Sequence, residues 1–120
     1  MNKEFNCPVE ATISLIGGKY KSVILFHLMG KTLRYSELHK KIPKATDKML
    51  AQQLRELEKD GLIKRTVYPV VPPKTEYNLT EFGESLSPIL NAMCNWGESY
   101  LNIPSCLLYT SDAADDLIGV

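Results

Sequence analysis

Residues 45–65, ATDKMLAQQLRELEKDGLIKR, begin with the pattern of an amphipathic helix and end with that of a strand. On a helical wheel Leu50, Leu54 and Leu57 share one side, while Lys48, Gln52, Arg55 and Lys59 recur on the other at spacings of four, three and four. Thr46 precedes the periodic run as an N-cap, and Gly61 follows it as a stop. The leucines call for a core. The outer face, two lysines, a glutamine and an arginine, calls for a different explanation.

Upstream, "LRYSELHKKI" predicts a short helix with Tyr35 or Ser36 near its start, Leu38 and Ile42 facing inward and Pro43 ending it. This helix, the turn at Lys44 and Ala45, and the helix after Thr46 form a helix-turn-helix pattern. Two further helices precede it. Cys7-Pro8 opens the first, because proline suits the first helical position; Val9, Ile13 and Ile16 are its apolar side and Gly17-Gly18 its stop. "KYKSVILFHLM" follows, closed by Gly30.

Downstream, "LIKRTVYP" alternates as a strand and "KTEYNLT" reads as its partner, with the proline-rich "VVPP" as the hairpin tip. Thr80 then caps a closing helix expected to kink at Pro88. Its large apolar residues Phe82, Leu86, Ile89, Met93, Trp96 and Tyr100 recur at 4, 3, 4, 3 and 4, the spacing of a helix-packing seam. Such a seam can serve an intramolecular core. A domain this small has few inner surfaces for six such side chains, so a dimer interface is expected there, with Ile13 contributing from the first helix.

Composition bounds the alternatives. The 120 residues suffice for one modest core, and 44% hydrophobic with 23% charged residues is ordinary globular usage. No apolar run reaches membrane-spanning length, and the start "MNKEFNCPVE" carries no secretory apolar segment, so a cytoplasmic location is expected. Cys7, Cys94 and Cys106 are too widely and irregularly spaced to suggest a metal motif or a disulfide framework. Neither His27 nor His39 stands in a catalytic or metal-ligating pattern, so no enzyme, metal or cofactor is expected.

The formal net charge of zero conceals an uneven distribution. Residues 1–101 hold 14 basic against 11 acidic residues, and residues 31–75 hold 11 against five. A +6 block over the helix-turn-helix and hairpin suits a polyanionic partner. The tail from residue 102 to 120 has no basic residue and does not continue the seam; a non-native extension is the expectation, with a genuine terminal arm as the alternative.

Three helices, a two-stranded hairpin and a closing helix describe a mainly helical α+β fold, a winged helix-turn-helix. Its second motif helix would enter the major groove, where glutamine pairs bidentately with adenine and arginine or lysine reaches guanine or phosphate. The expected DNA contacts are Lys48, Gln52 and Arg55 on that helix and Lys44 and Thr46 before it. Tyr35 and Ser36 would join them from the preceding helix, and Arg65 and Lys74 from the wing. Arg65 or Lys74 pairing with Glu76 instead is the competing role.

The stretches "CPVEATISLIGGKYKSVILFHLM", "LRYSELHKKIP", "KMLAQQLRELEKDGLIKRTVYPVVPPKTEYNLTEFGESLSPIL" and "NWGESY" resemble the HxlR-type transcriptional regulators, a prokaryotic branch of the MarR-like winged helices, over about residues 7–101. Tyr20 stands where the family's "GGKW" motif has tryptophan. The resemblance implies a homodimeric repressor or activator bound to double-stranded DNA at a pseudo-palindromic operator, dimerised through terminal helices. It also implies a sensory role for Cys7 toward small-molecule electrophiles or oxidants. That role agrees with a thiol at a helix N-terminus, where the dipole favours thiolate; a small structural residue beside proline is the competing reading. A winged-helix module that binds only protein is the functional alternative.

Overall fold

The structure is a computed structural model that describes residues 5–103. Nine elements follow in order: α1 (Pro8–Ile16), α2 (Lys21–Leu28), β1 (Leu33–Arg34), α3 (Tyr35–Lys41), α4 (Asp47–Lys59), β2 (Ile63–Tyr68), β3 (Lys74–Leu79), α5 (Glu81–Glu84) and α6 (Ser87–Leu101). They fall into two compact units, one ending at Ser85 and one beginning at Leu86. The expected tail lies, from residue 104 onward, outside the described residues.

In the first unit Ile24, Leu25, Leu28, Leu38, Leu50, Leu54, Leu57, Leu62 and Ile63 are wholly or almost wholly buried. At about 1.5–3 kcal/mol for each fully buried aliphatic side chain, this cluster is the main favourable term that holds α2, α3, α4 and the hairpin root together. α4 ends in a hydrogen-bonded Schellman turn. Gly61 takes a left-handed φ of 79°; its N–H donates to the Glu58 carbonyl, and Leu62 N–H donates to the Leu57 carbonyl, both at 3.0 Å. Glycine adopts that φ without the Cβ penalty. The turn delivers Leu62 and Ile63 into the core together, and from there β2 leaves for solvent.

The fold is the expected winged helix, with three differences of detail. The wing sheet has three strands in the order β1-β3-β2, all antiparallel, because Leu33 and Arg34 pair with Tyr77 and Glu76 instead of opening α3. Two residues are too few for periodicity to reveal a strand, yet they satisfy the free edge of β3. β2 and β3 pair from Ile63↔Leu79 to Tyr68↔Lys74, but the simple alternation expected for β2 fails. Only Ile63 is buried, and Lys64, Arg65, Val67 and Tyr68 are all exposed, since only the root of the hairpin meets the core.

The third difference concerns the closing helix, which is two helices. Thr80 Oγ1 accepts from Gly83 N–H at 3.0 Å and caps only α5; the same hydroxyl donates to the Gly61 carbonyl at 2.6 Å. α6 then starts anew with Pro88 in its first turn. A continuous helix would require the N–H that Pro88 lacks and would press its ring on the preceding turn. The sequence expects a kink there; the chain instead restarts, using proline where a helix N-terminus tolerates it. Within the second unit Leu86 and Leu90 are buried, and Asn102 ends α6 in the left-handed region at φ 59°. No helix is long and apolar enough to cross a membrane among the described residues.

Candidate nucleic-acid interface

α4 is fixed in orientation from within. Leu50, Leu54 and Leu57 occupy the core, and so does Gln53, a polar residue on the same stripe. The Gln53 side-chain oxygen accepts the Tyr20 N–H at 3.0 Å, which ties α4 to the turn before α2. Gly18 makes room for it: a Cβ there would stand 2.6 Å from that oxygen. A second tie runs from α2, where buried Lys21 reaches Glu56 at 2.8 Å. Glu56 also accepts from the Gln52 amide at 3.2 Å, and these two hydrogen bonds hold its carboxyl below the usual range.

With the inner face so anchored, Lys48, Gln52, Arg55 and Lys59 are all exposed. Gln52, Arg55 and Lys59, together with Glu56 and Glu58, line one open groove of about 570 Å³ along α4. Gln52 is steadied by Glu56 and keeps its carbonyl oxygen and a second N–H for an outside partner.

The N-terminal end of α4 is capped as expected: Thr46 Oγ1 accepts Met49 N–H at 3.1 Å. Lys44 and Thr46 are exposed beside it. Tyr35 is half-buried, and its hydroxyl donates to Asp47 Oδ1 at 2.8 Å. Burial and that bond push the phenol up to about 12. Its single proton is thus engaged within the chain, whereas Ser36 is exposed. His39 completes the arrangement, with Nδ1 3.1 Å from Asp47 Oδ1 and Nε2 2.9 Å from the Ala45 carbonyl.

Tyr35, Ser36 and Lys74 line a cleft of about 490 Å³ between the start of α3 and the wing tip, with Arg34 beside them and Val70 and Val71 opposite. Lys74 has partners already: its ammonium lies 4.8 Å from the Tyr68 ring centroid and 3.8 Å from Glu76. The competing role foreseen for Lys74 is therefore realised in this structure. Arg65 sits opposite Tyr77 in the sheet and is exposed.

Cys7 is a free, exposed thiol at the N-cap of α1, with extended backbone (φ −155°, ψ 159°) and no side-chain cap bond. Glu10 on the first turn accepts the Asn6 N–H at 2.6 Å. Among the expected interface residues, Ile13, Phe82, Ile89, Met93, Trp96 and Tyr100 are exposed, the last two at 70% and 74% and stacked at 5.5 Å. Leu86, grouped with them by spacing, is buried inside the chain. Val9, exposed one turn before Ile13, was not foreseen as part of this set.

The sequence reading missed Gln53, Asp47 and His39 as parts of this region. Gln53 was detectable in principle, as a polar residue three after Leu50 and four before Leu57. Nothing local marks the other two, because their partners lie across a turn. Among the described residues no group of three His, Cys, Asp or Glu side chains is placed to hold a metal.

Comparison with known proteins agrees with this geometry. The family model described as HxlR-like helix-turn-helix matches residues 15–104. YtcD of Bacillus subtilis, named as an uncharacterized HTH-type transcriptional regulator, is 55% identical over 100 residues, covering 83% of this chain and 79% of that one. The solved structure described as the redox regulator HypR in its oxidized form superposes with a TM-score of 0.74 at 50% identity, covering 78% of this chain and 96% of that chain. The reduced form of the transcriptional regulator YodB from B. subtilis gives 0.66 at 35%, covering 80% and 95%.

Proposed function

Because this chain belongs to the HxlR-like helix-turn-helix family, we propose that it acts as a cytoplasmic homodimer on a pseudo-palindromic operator, with α4 as the recognition helix. It is a transcriptional regulator of the helix-turn-helix type. The observation that carries the reading is the division of α4: every leucine is buried, and Lys48, Gln52, Arg55 and Lys59 all face solvent. Gln52 and Arg55 read base edges; Lys44, Thr46, Lys48, Ser36 and Arg65 contact phosphates, with Tyr35 and Lys74 recruited by exchange of their internal partners.

Residues 1–101 form the DNA-binding and dimerisation domain in this reading. The exposed apolar faces of α1 (Val9, Ile13) and α6 (Ile89, Met93, Trp96, Tyr100) each meet the partner copy, since apolar area of this kind is otherwise left in water. Two copies place their recognition helices in successive major grooves, about one helical turn apart. Cys7 is the sensor. It is a free, exposed thiol, and one structural relative, HypR, is described as a redox regulator. Oxidation or alkylation there alters α1 at the interface and so the spacing of the two reading heads.

Selection from a randomised duplex library, with reductant and again with a thiol oxidant, tests the reading. An enriched inverted repeat that is lost or weakened on oxidation is expected, and Cys7→Ser abolishes the oxidant effect. Absence of duplex binding even at low salt would replace this reading with a protein-interaction module.

A further inference from the structure

His39 sits at the joint between α3 and α4, with an acceptor at each ring nitrogen. Nε2 faces the Ala45 carbonyl at 2.9 Å and Nδ1 faces the Asp47 carboxylate at 3.1 Å. A neutral imidazole has a single N–H and must turn a lone pair toward one of these oxygens; only the imidazolium donates to both. The same Asp47 oxygen receives the Tyr35 hydroxyl at 2.8 Å, and the Tyr35 and His39 rings meet edge to face at 6.0 Å. One carboxylate on the first turn of α4 thus gathers two side chains from α3, while the ring also holds the carbonyl of the intervening turn. The neighbouring cations along the chain are Lys40, Lys41 and Lys44.

The position of Asp47 makes this consequential. It is exposed and lies between Thr46 and Lys48, both proposed DNA contacts. A bare carboxylate there repels phosphate, and a protonated His39 compensates it. An approaching duplex in turn favours the charged ring.

We propose that His39 is a positioning residue for DNA binding, which latches α3 to α4 through Asp47 and Ala45 and takes up a proton as the duplex binds. By linkage, proton uptake on binding makes affinity rise as pH falls. The other histidine, His27, does not contribute: burial, Lys41 and Lys31 lower it to about 4. The coupling rests on α4 being the DNA-reading helix; the latch itself does not.

The test uses the full chain under reductant and at fixed salt, with a duplex recovered from the randomised selection. Binding about threefold to fivefold tighter at pH 6 than at pH 8 is expected, the scale of one partly exposed ion pair. His39→Gln should flatten that profile. A flat wild-type profile, or an unchanged slope in His39→Gln, overturns the coupling. Ring-nitrogen NMR at pH 7 should show a larger protonated fraction of His39 in the complex than in the free protein; an equal fraction overturns the coupling independently of any variant. In the free protein Asp47→Asn should shift the His39 ring signals. Unmoved signals overturn the latch and the coupling that runs through it, whereas absence of duplex binding overturns the DNA reading and the coupling but leaves the latch standing.

Discussion

His27 shows what a single residue costs when a helix buries it. It lies among the apolar residues of α2, and its Nδ1 has no hydrogen-bond partner among the described residues. Burial first, then Lys41 and Lys31, lowers its pKa to about 4. The unfolded chain binds the proton from about pH 6.5 downward and the folded chain resists it, so stability is full above that point and declines as pH falls toward 4. The loss should reach up to about 3 kcal/mol. Urea unfolding at pH 7 and at pH 4.5 measures it, and His27→Leu should remove most of the difference; an equal loss in the variant would assign it to other groups. On the outer face of α4 the expectation is functional instead. Alanine at both Gln52 and Arg55 should weaken operator binding about tenfold to a hundredfold while dimerisation persists. Unaltered affinity in a gel-shift titration would contradict the groove assignment.

At the scale of elements, small residues and caps decide where helices begin and end. A Cβ on Gly83 would collide with the Leu62 carbonyl, in the turn between α4 and β2, and would crowd Leu79 of β3. Gly83→Ala should therefore destabilise the first unit by about 1–3 kcal/mol, despite alanine's better helix propensity. A stabilised variant in thermal unfolding would show that α5 has freedom to move. Thr46→Ala removes an observed cap on α4 and should cost about 1 kcal/mol. If circular dichroism melts of the two proteins coincide, water replaces the hydroxyl at no loss.

Across the whole molecule the apolar residues left outside matter as much as those within. Ile89, Met93, Trp96 and Tyr100 are exposed on α6 and Val9 and Ile13 on α1, while the basic residues cluster in the middle of the chain. If the proposed dimer forms through this face, Trp96→Ser with Tyr100→Ser should convert it to monomer in analytical ultracentrifugation without loss of helical signal. An unchanged dimer would place the contact elsewhere. With three phosphate-contacting cations per subunit (Lys44, Lys48 and Arg65), about six in the proposed dimer, operator affinity should fall on the order of a thousandfold between 50 and 200 mM salt. A shallow salt slope would argue against a phosphate-dominated interface.

Periodicity, caps and turn residues were enough to determine the helix-turn-helix, the hairpin and the cationic face of α4, because each depends on residues within about one or two turns of each other. Leu50, Leu54 and Leu57 reveal the core side of α4 without any partner being known. Other features depend on groups distant in sequence or separated by a turn. Tertiary structure alone pairs Leu33 and Arg34 with β3, seats Gln53 on the Tyr20 amide and links His39 and Tyr35 through Asp47. It also separates Leu86 from the exposed apolar residues with which it shares a spacing, because burial depends on what packs against a position and spacing records only the direction it faces.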